Sequence, residues 1–247
     1  MKYLLIVTLL LTSLWAGGYE KGLEAFDKGN YRTALKLWKN AANKGDFKAQ
    51  TTLGNLYSNG IGGVYQNDQE AIKWYKLAAN QGYDKAQYAL GYIYSNGLGV
   101  KQDSKEAERW YKLAAEQGNS RYQVELAIMY DKGQGVRQDY KEAAKWYKLA
   151  AKQGRSLAQY NLGFMYANGQ GVRQDYKEAA KWYKLAAKQG NSGAQLNLGV
   201  LYYNGQGVSA DKIKAYKWLL KAAKQGNRNA QYNLDMLCKE SPWACKQ

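Results

Sequence analysis

An all-α solenoid is the fold class this sequence predicts, and three observations predict it. Trp38, Trp74, Trp110, Trp146, Trp182 and Trp218 are spaced 36 residues apart, a period in the range of stacked helical hairpins. The 22 residues GQGVRQDYKEAAKWYKLAAKQG stand at 133–154 and recur unchanged at 169–190. A scaffold solves one packing problem repeatedly, whereas an active site needs one unlike set of groups. Pro242 is the single proline of the 247 residues, so nearly all of the chain is compatible with helix. Ala, Leu, Lys and Gln abound and favour helix, and alternating Val/Ile/Thr runs that would mark strands are missing.

The N-terminus reads differently. Met1-Lys2 is a short basic start, Tyr3 to Trp15 is apolar apart from Thr and Ser, and Ala16-Gly17-Gly18 offers small residues for cleavage. This pattern predicts a secretory signal peptide over 1–18; the apolar run falls short of the ~20 residues of a membrane span. The expected location is therefore periplasmic or secreted. Without Lys2 the formal charge falls from +16 to +15, which favours acidic surfaces or anionic polymers as neighbours.

Residues 19–48 form an N-terminal hairpin in which Gly29-Asn30 makes a tight turn. Residues 49–229 hold five full repeats, starting at Ala49, Ala86, Tyr122, Ala158 and Ala194. In each first half, such as AQYNLGFMYANG at 158–169, Ala158, Leu162, Met165 and Tyr166 fall on one helical face, and Gly169 stops the helix. A mid-helix glycine recurs at Gly54, Gly91, Gly163 and Gly199, with Ala127 in its place in the third repeat. Glycine there costs about 1 kcal/mol against Ala, which predicts close helix packing as the compensation. In each second half, Asp175 with Glu178, Asp139 with Glu142, Asp103 with Glu106 and Asn67 with Glu70 read as capping boxes. Ala179, Trp182, Tyr183, Ala186 and Ala187 form the predicted buried face. Residues 230–247 begin one more first helix as a cap, then break at Pro242.

These units resemble Sel1-like repeats, relatives of the tetratricopeptide repeat. The pattern that carries the resemblance is Ala-x-x-x-Leu-Gly-x-x-Tyr-x-x-Gly-x-Gly-Val followed by Asp, Ala, Trp-Tyr and Ala-Ala-x-x-Gly, over about residues 19–240. The resemblance implies a right-handed α/α superhelix and roles in protein-complex assembly, signalling, cell-envelope work or contacts between bacteria and hosts. The fold is a platform, so function rests on its surfaces.

By the geometry of that family, first helices line the concave side. The positions placed there are Thr51, Asn55, Ser58 and Asn59; Tyr88, Tyr92, Ser95 and Asn96; Val124, Ile128, Asp131 and Lys132; Tyr160, Phe164, Ala167 and Asn168; Leu196, Val200, Tyr203 and Asn204; then Tyr232 and Met236. This aromatic, amide-rich face suits a protein or peptide partner, although the same tyrosines could simply pack on the next unit. Glu125, Asp131 and Lys132 set the third repeat apart. On the outer side Lys141, Lys145, Lys148 and Lys152, copied by Lys177, Lys181, Lys184 and Lys188, make a basic ridge. It reads either as a solvated face or as a dock for an anionic envelope polymer or membrane surface. Nucleic acid is not expected in an exported chain without a recognition motif.

There is no histidine, which removes Ser-His-Asp and Cys-His catalysis and histidine-based metal sites. No metal or cofactor is implied. SADK at 209–212 matches Ser-x-x-Lys through Ser209 and Lys212, the first motif of β-lactam-binding or hydrolysing enzymes, without its companions. A non-catalytic protein is expected, as a monomer. Cys238 and Cys245 would lie about 10.5 Å apart along one continuous helix, too far to bond. Pro242 allows the chain to turn back, so a disulfide that staples the tail is expected, with two free thiols as the alternative.

Overall fold

The computed structural model describes residues 17–246, all of whose regular elements are helical. The expected signal peptide lies outside the described residues, except Gly17 and Gly18, which are helical. The described residues divide into two compact units between Gln117 and Gly118. The first holds α1 (17–27), α2 (Tyr31–Asn43), α3 (Phe47–Asn59), α4 (Asp68–Asn80), α5 (Asp84–Asn96) and α6 (Ser104–Glu116). The second holds α7 (Ser120–Lys132), α8 (Tyr140–Lys152), α9 (Ser156–Asn168), α10 (Tyr176–Lys188), α11 (Ser192–Asn204), α12 (Lys212–Ala223), α13 (Arg228–Glu240) and a 3₁₀ turn, Pro242–Cys245. Within each unit, helices pack mainly on their neighbours in sequence, as stacked hairpins do.

The mid-helix glycines have the predicted cause. A Cβ on Gly54 would stand 2.6 Å from the Tyr75 ring, on Gly91 2.7 Å from Tyr111, and on Gly163 2.8 Å from Tyr183. Tyr75, Tyr111 and Tyr183 therefore each pack closely against the backbone of their own hairpin's first helix. In the hairpin α11–α12 the residue after Trp218 is Leu219, whose Cγ would be 2.8 Å from a Cβ on Gly199. The second glycine of the connecting loop serves a different contact. Gly171 has φ +68°, and a Cβ there would come within 2.0 Å of the Tyr140 carbonyl oxygen, so loop backbone rests on the start of the preceding α8.

The capping boxes form only in part. Asp175 accepts from the backbone N–H of Lys177 and Glu178, Asp139 from Lys141 and Glu142, and Asp103 from Lys105 and Glu106; Asn67 accepts from Glu70. The reciprocal bond from the glutamate is not made. The Asp175 N–H donates instead to the Tyr166 carbonyl at 2.9 Å, and Asp139, Asp103 and Asn67 donate to Tyr130, Tyr94 and Tyr57. The hairpin's own first helix has taken the donor that the glutamate would need. Glu178 is thereby released to accept from Lys181 and from the Trp182 indole.

A buried glutamine ladder joins the hairpins. In the first unit Gln50 Nε2 donates to the Ala42 carbonyl and its Oε1 accepts from Gln81. In the second unit Gln159 donates to Ala151 and accepts from Gln189, and Gln195 donates to Ala187 and accepts from Gln225. Each ladder residue thus satisfies two partners from different helices, which a buried amide requires.

Candidate functional site

The first helices leave aromatic side chains and Met236 at the surface, while the second helices bury the tyrosine of the Trp-Tyr pair and expose Leu77, Leu149 and Leu185. Tyr92 of α5 is 51% exposed, Phe164 of α9 42%, and Tyr232 and Met236 of α13 66% and 51%. Tyr203 of α11 is exposed to a lesser degree, and Tyr88, Ile128, Tyr160 and Val200 are half-buried. Tyr88 packs edge-on against Tyr111 with ring centres 5.3 Å apart, and Tyr160 meets Tyr183 at 6.1 Å. Those two tyrosines therefore share their surface between packing and exposure. Asn55, Asn59, Asn96, Asn168 and Asn204 are exposed. The amide nitrogens of Asn59, Asn96 and Asn168 donate to the carbonyl four residues back, each at 2.8 Å, so their donors serve the helix end.

The buried tyrosines reach this face with their hydroxyls. Tyr75 donates to Asn55 Oδ1 at 2.7 Å. Tyr147 donates to Asp131 Oδ2 at 3.4 Å and has the Asn161 amide within reach; Tyr183 has the Asn197 amide. Burial pushes the Tyr75 hydroxyl up to about 12, against a smaller opposing pull from its Ser58 hydrogen bond. Burial raises Tyr147 and Tyr183 as well, and the Asp131 charge adds to the rise at Tyr147. Asp131, half-buried, is raised by loss of solvent, which outweighs the Tyr147 hydrogen bond and the nearby Lys132 charge.

The eight ridge lysines are all exposed. Lys145 pairs with Glu142 and Lys181 with Glu178, and each lies over its neighbouring tryptophan. Lys141, Lys145, Lys148 and Lys152 also line a cleft of about 390 Å³ with Leu149, Leu162, Tyr166 and Val172. The ammonium groups thus rim an apolar floor formed in part by the next hairpin.

At the end of the second unit Val200, Tyr203, Leu219, Tyr232, Asn233 and Met236 surround a pocket of about 300 Å³. Beside it Lys212 pairs with Glu240 at 2.7 Å and donates to Ser241 at 2.8 Å, and Tyr203 donates to Glu240. Ser209 lies in the loop and Lys212 opens α12, so the Ser-x-x-Lys match does not sit on one helical turn. Cys238 and Cys245 are at disulfide distance, with Cα atoms 5.7 Å apart; the 3₁₀ turn at Pro242 brings them together. Among the described residues there is no cluster of His, Cys, Asp or Glu able to hold a metal ion, and no helix long and apolar enough to cross a membrane. The sequence placed Val200, Tyr203, Tyr232 and Met236 on the first-helix face, but the pocket that they form with Leu219 and Asn233 was missed in it. Its one signal there is WLL at 218–220, where the other second halves of the repeats read Trp-Tyr-Lys.

Stacked helical hairpins with an aromatic first-helix face and a lysine-rich second-helix face define a repeat scaffold. The chain belongs to the Sel1 repeat family, whose sequence model matches residues 14–46, 48–83, 84–119, 120–154, 156–191 and 192–227. The first of these matches covers most of the N-terminal hairpin and begins within the expected signal peptide. Among solved structures, the chain is similar to a protective antigen of uropathogenic Escherichia coli strains displaying an SLR fold. Identity is 37%, over 93% of this chain and 50% of that one, with a TM-score of 0.84. The chain therefore spans about half the length of that antigen. A Sel1 repeat protein from Oxalobacter formigenes is 34% identical over 88% of this chain and 86% of its own, with a TM-score of 0.69. No curated protein matches the chain. Proteins of this family are generally non-catalytic protein-interaction scaffolds.

Proposed function

We propose that the chain is a non-catalytic adaptor that binds a partner polypeptide along its first-helix face, in the bacterial cell envelope or outside the cell. The observation that carries this reading is the exposure of Tyr92, Phe164, Tyr232 and Met236 on first helices. Aromatic side chains supply large contact area with few rotatable bonds, and they concentrate at binding hot spots. The apolar leader pattern and the cysteine pair at bonding distance support an exported location.

The test is crosslinked affinity capture from the native organism, read by mass spectrometry, with the wild type beside a variant carrying Ala at Tyr88, Tyr92, Tyr160 and Phe164. A specific protein captured by the wild type and lost with the variant is the expected result. Equal capture by both chains, with helical content intact, sinks the reading.

The lysine-rimmed cleft favours a second reading, in which an anionic envelope polymer or membrane surface docks on α8 and α10. Glutamate at Lys141, Lys145, Lys177 and Lys181 should then remove binding, and salt should weaken it.

A further inference from the structure

The tyrosine slot recurs through the molecule, and one copy of it lacks its ring. In α4, α6 and α10 a tyrosine lies on the glycine of its own hairpin's first helix. Tyr147 and Tyr183 have an asparagine of the following first helix, Asn161 or Asn197, within reach of the hydroxyl. The α12 hairpin keeps the glycine, Gly199, and keeps the asparagine at the matching place, Asn233. It carries Leu219 where the ring would be. Leu219 reaches Gly199 with its branched carbon but has neither the outer half of a ring nor a hydroxyl to offer Asn233. Beside Leu219 and Asn233 lies the pocket that they bound with Val200, Tyr203, Tyr232 and Met236. At about 300 Å³ it is at the small end of ligand sites, the size for one side chain and its immediate backbone. Its walls are apolar and aromatic, with an amide at one side.

We infer that this pocket is a socket for a single aromatic side chain of a partner polypeptide, a tyrosine by preference. The incoming phenol would complete the slot that Tyr147 and Tyr183 complete within the chain, its ring against Leu219 and Met236 and its hydroxyl on Asn233. The inference rests on the first-helix face being a binding face, and it names the chemistry that face selects at its C-terminal end. An asparagine placed to meet a hydroxyl discriminates against a ligand that lacks one. The slot's internal occupants supply the occupant's chemistry.

The test is a methyl-detected NMR titration of the full chain with N-acetyl-L-tyrosinamide, N-acetyl-L-phenylalaninamide and N-acetyl-L-leucinamide. Saturable shifts are expected at Met236, Leu219 and Val200 with the tyrosine probe. The phenylalanine probe should bind about five-fold more weakly, the worth of one neutral hydrogen bond, and the leucine probe more weakly still. Leu219→Tyr places in the socket the residue that the other slots already hold, so it should fold normally and abolish the shifts. Should that variant not fold, Asn233→Ala decides instead by erasing the preference for tyrosine over phenylalanine. Three results overturn the socket: no saturable shift at those methyls, shifts that survive in a folded L219Y chain, or equal binding of the tyrosine and phenylalanine probes. The quadruple variant used for partner capture alters none of the socket residues. Capture that succeeds with an empty socket sinks the socket alone, and a filled socket without capture sinks the adaptor reading alone.

Discussion

Helices α8 and α10 are the same thirteen residues, YKEAAKWYKLAAK, set among different neighbours. Both start on an aspartate cap and bury the same alanines, tryptophan and tyrosine. Their polar contacts then part. Tyr147 of α8 meets the Asp131 carboxylate, whereas Ala167 stands at the corresponding place ahead of α10. The Trp182 indole N–H donates to Glu178, while that of Trp146 has no hydrogen-bond partner among the described residues. The identical second helices share their buried face, and the change from Asp131 to Ala167 shows a first helix altering the polar contact that the second helix meets. The search for function belongs on the first helices for that reason.

The largest expected effect breaks the join between the two copies. Gly171→Ala forces a side chain into the left-handed region and onto the Tyr140 carbonyl, with no flexible group able to yield. A loss of about 3 kcal/mol or more is expected, measured by urea denaturation followed by circular dichroism. Gly190→Ala, at φ +90° with nothing within 4 Å of the new methyl, should cost about 1–2 kcal/mol. Equal losses would mean that the loop contact does not matter.

A smaller effect tests the ladder between the same helices. Gln159→Leu removes the bonds to Ala151 and Gln189 and should cost about 2 kcal/mol by leaving buried groups unpaired. Gln231→Leu, on an exposed residue that bonds only its own helix at Asp235, should stay within about 0.5 kcal/mol. The same denaturation measurement reads both.

The smallest effect removes the difference between α8 and α10. Asp131 has a raised pKa in the folded chain, so the native state holds its proton more tightly than the unfolded chain does. The stability this adds is present below the unfolded carboxylate pKa and is lost as pH rises through the native value. The advantage of wild type over Asp131→Asn should therefore shrink as pH rises from 3 to about 7, across the carboxylate range. A difference that stays constant over that range would remove Asp131 from the account.

The period, the hairpins and the αL glycines were legible because each depends on residues close in sequence. The close approach at Gly54, Gly91 and Gly163 was legible as well, since an unfavourable residue recurring mid-helix needs a compensating contact. The ladder was not, because Gln159 and Gln189 read as ordinary helix formers until their 30-residue separation is closed by stacking. The capping boxes misled for a similar reason: a carbonyl of the previous helix, distant from any local motif, took the donor. The first-helix face was assigned through family geometry, and the burial of its tyrosines could not be told from spacing alone. The socket is legible only as a difference, one leucine where the other slots hold tyrosine.

The two unchanged 22-residue stretches also bear on how such a chain changes length. Their joins are interchangeable: each aspartate cap finds the tyrosine carbonyl before it, and each ladder glutamine finds its partner 30 residues on, at the end of the next second helix. Misalignment of one stretch on the other during copying of the gene would add or delete one whole hairpin while leaving every junction of the same kind. The unit of inheritance and the unit of packing then coincide, and the first-helix face can lengthen or shorten without a new fold having to be found.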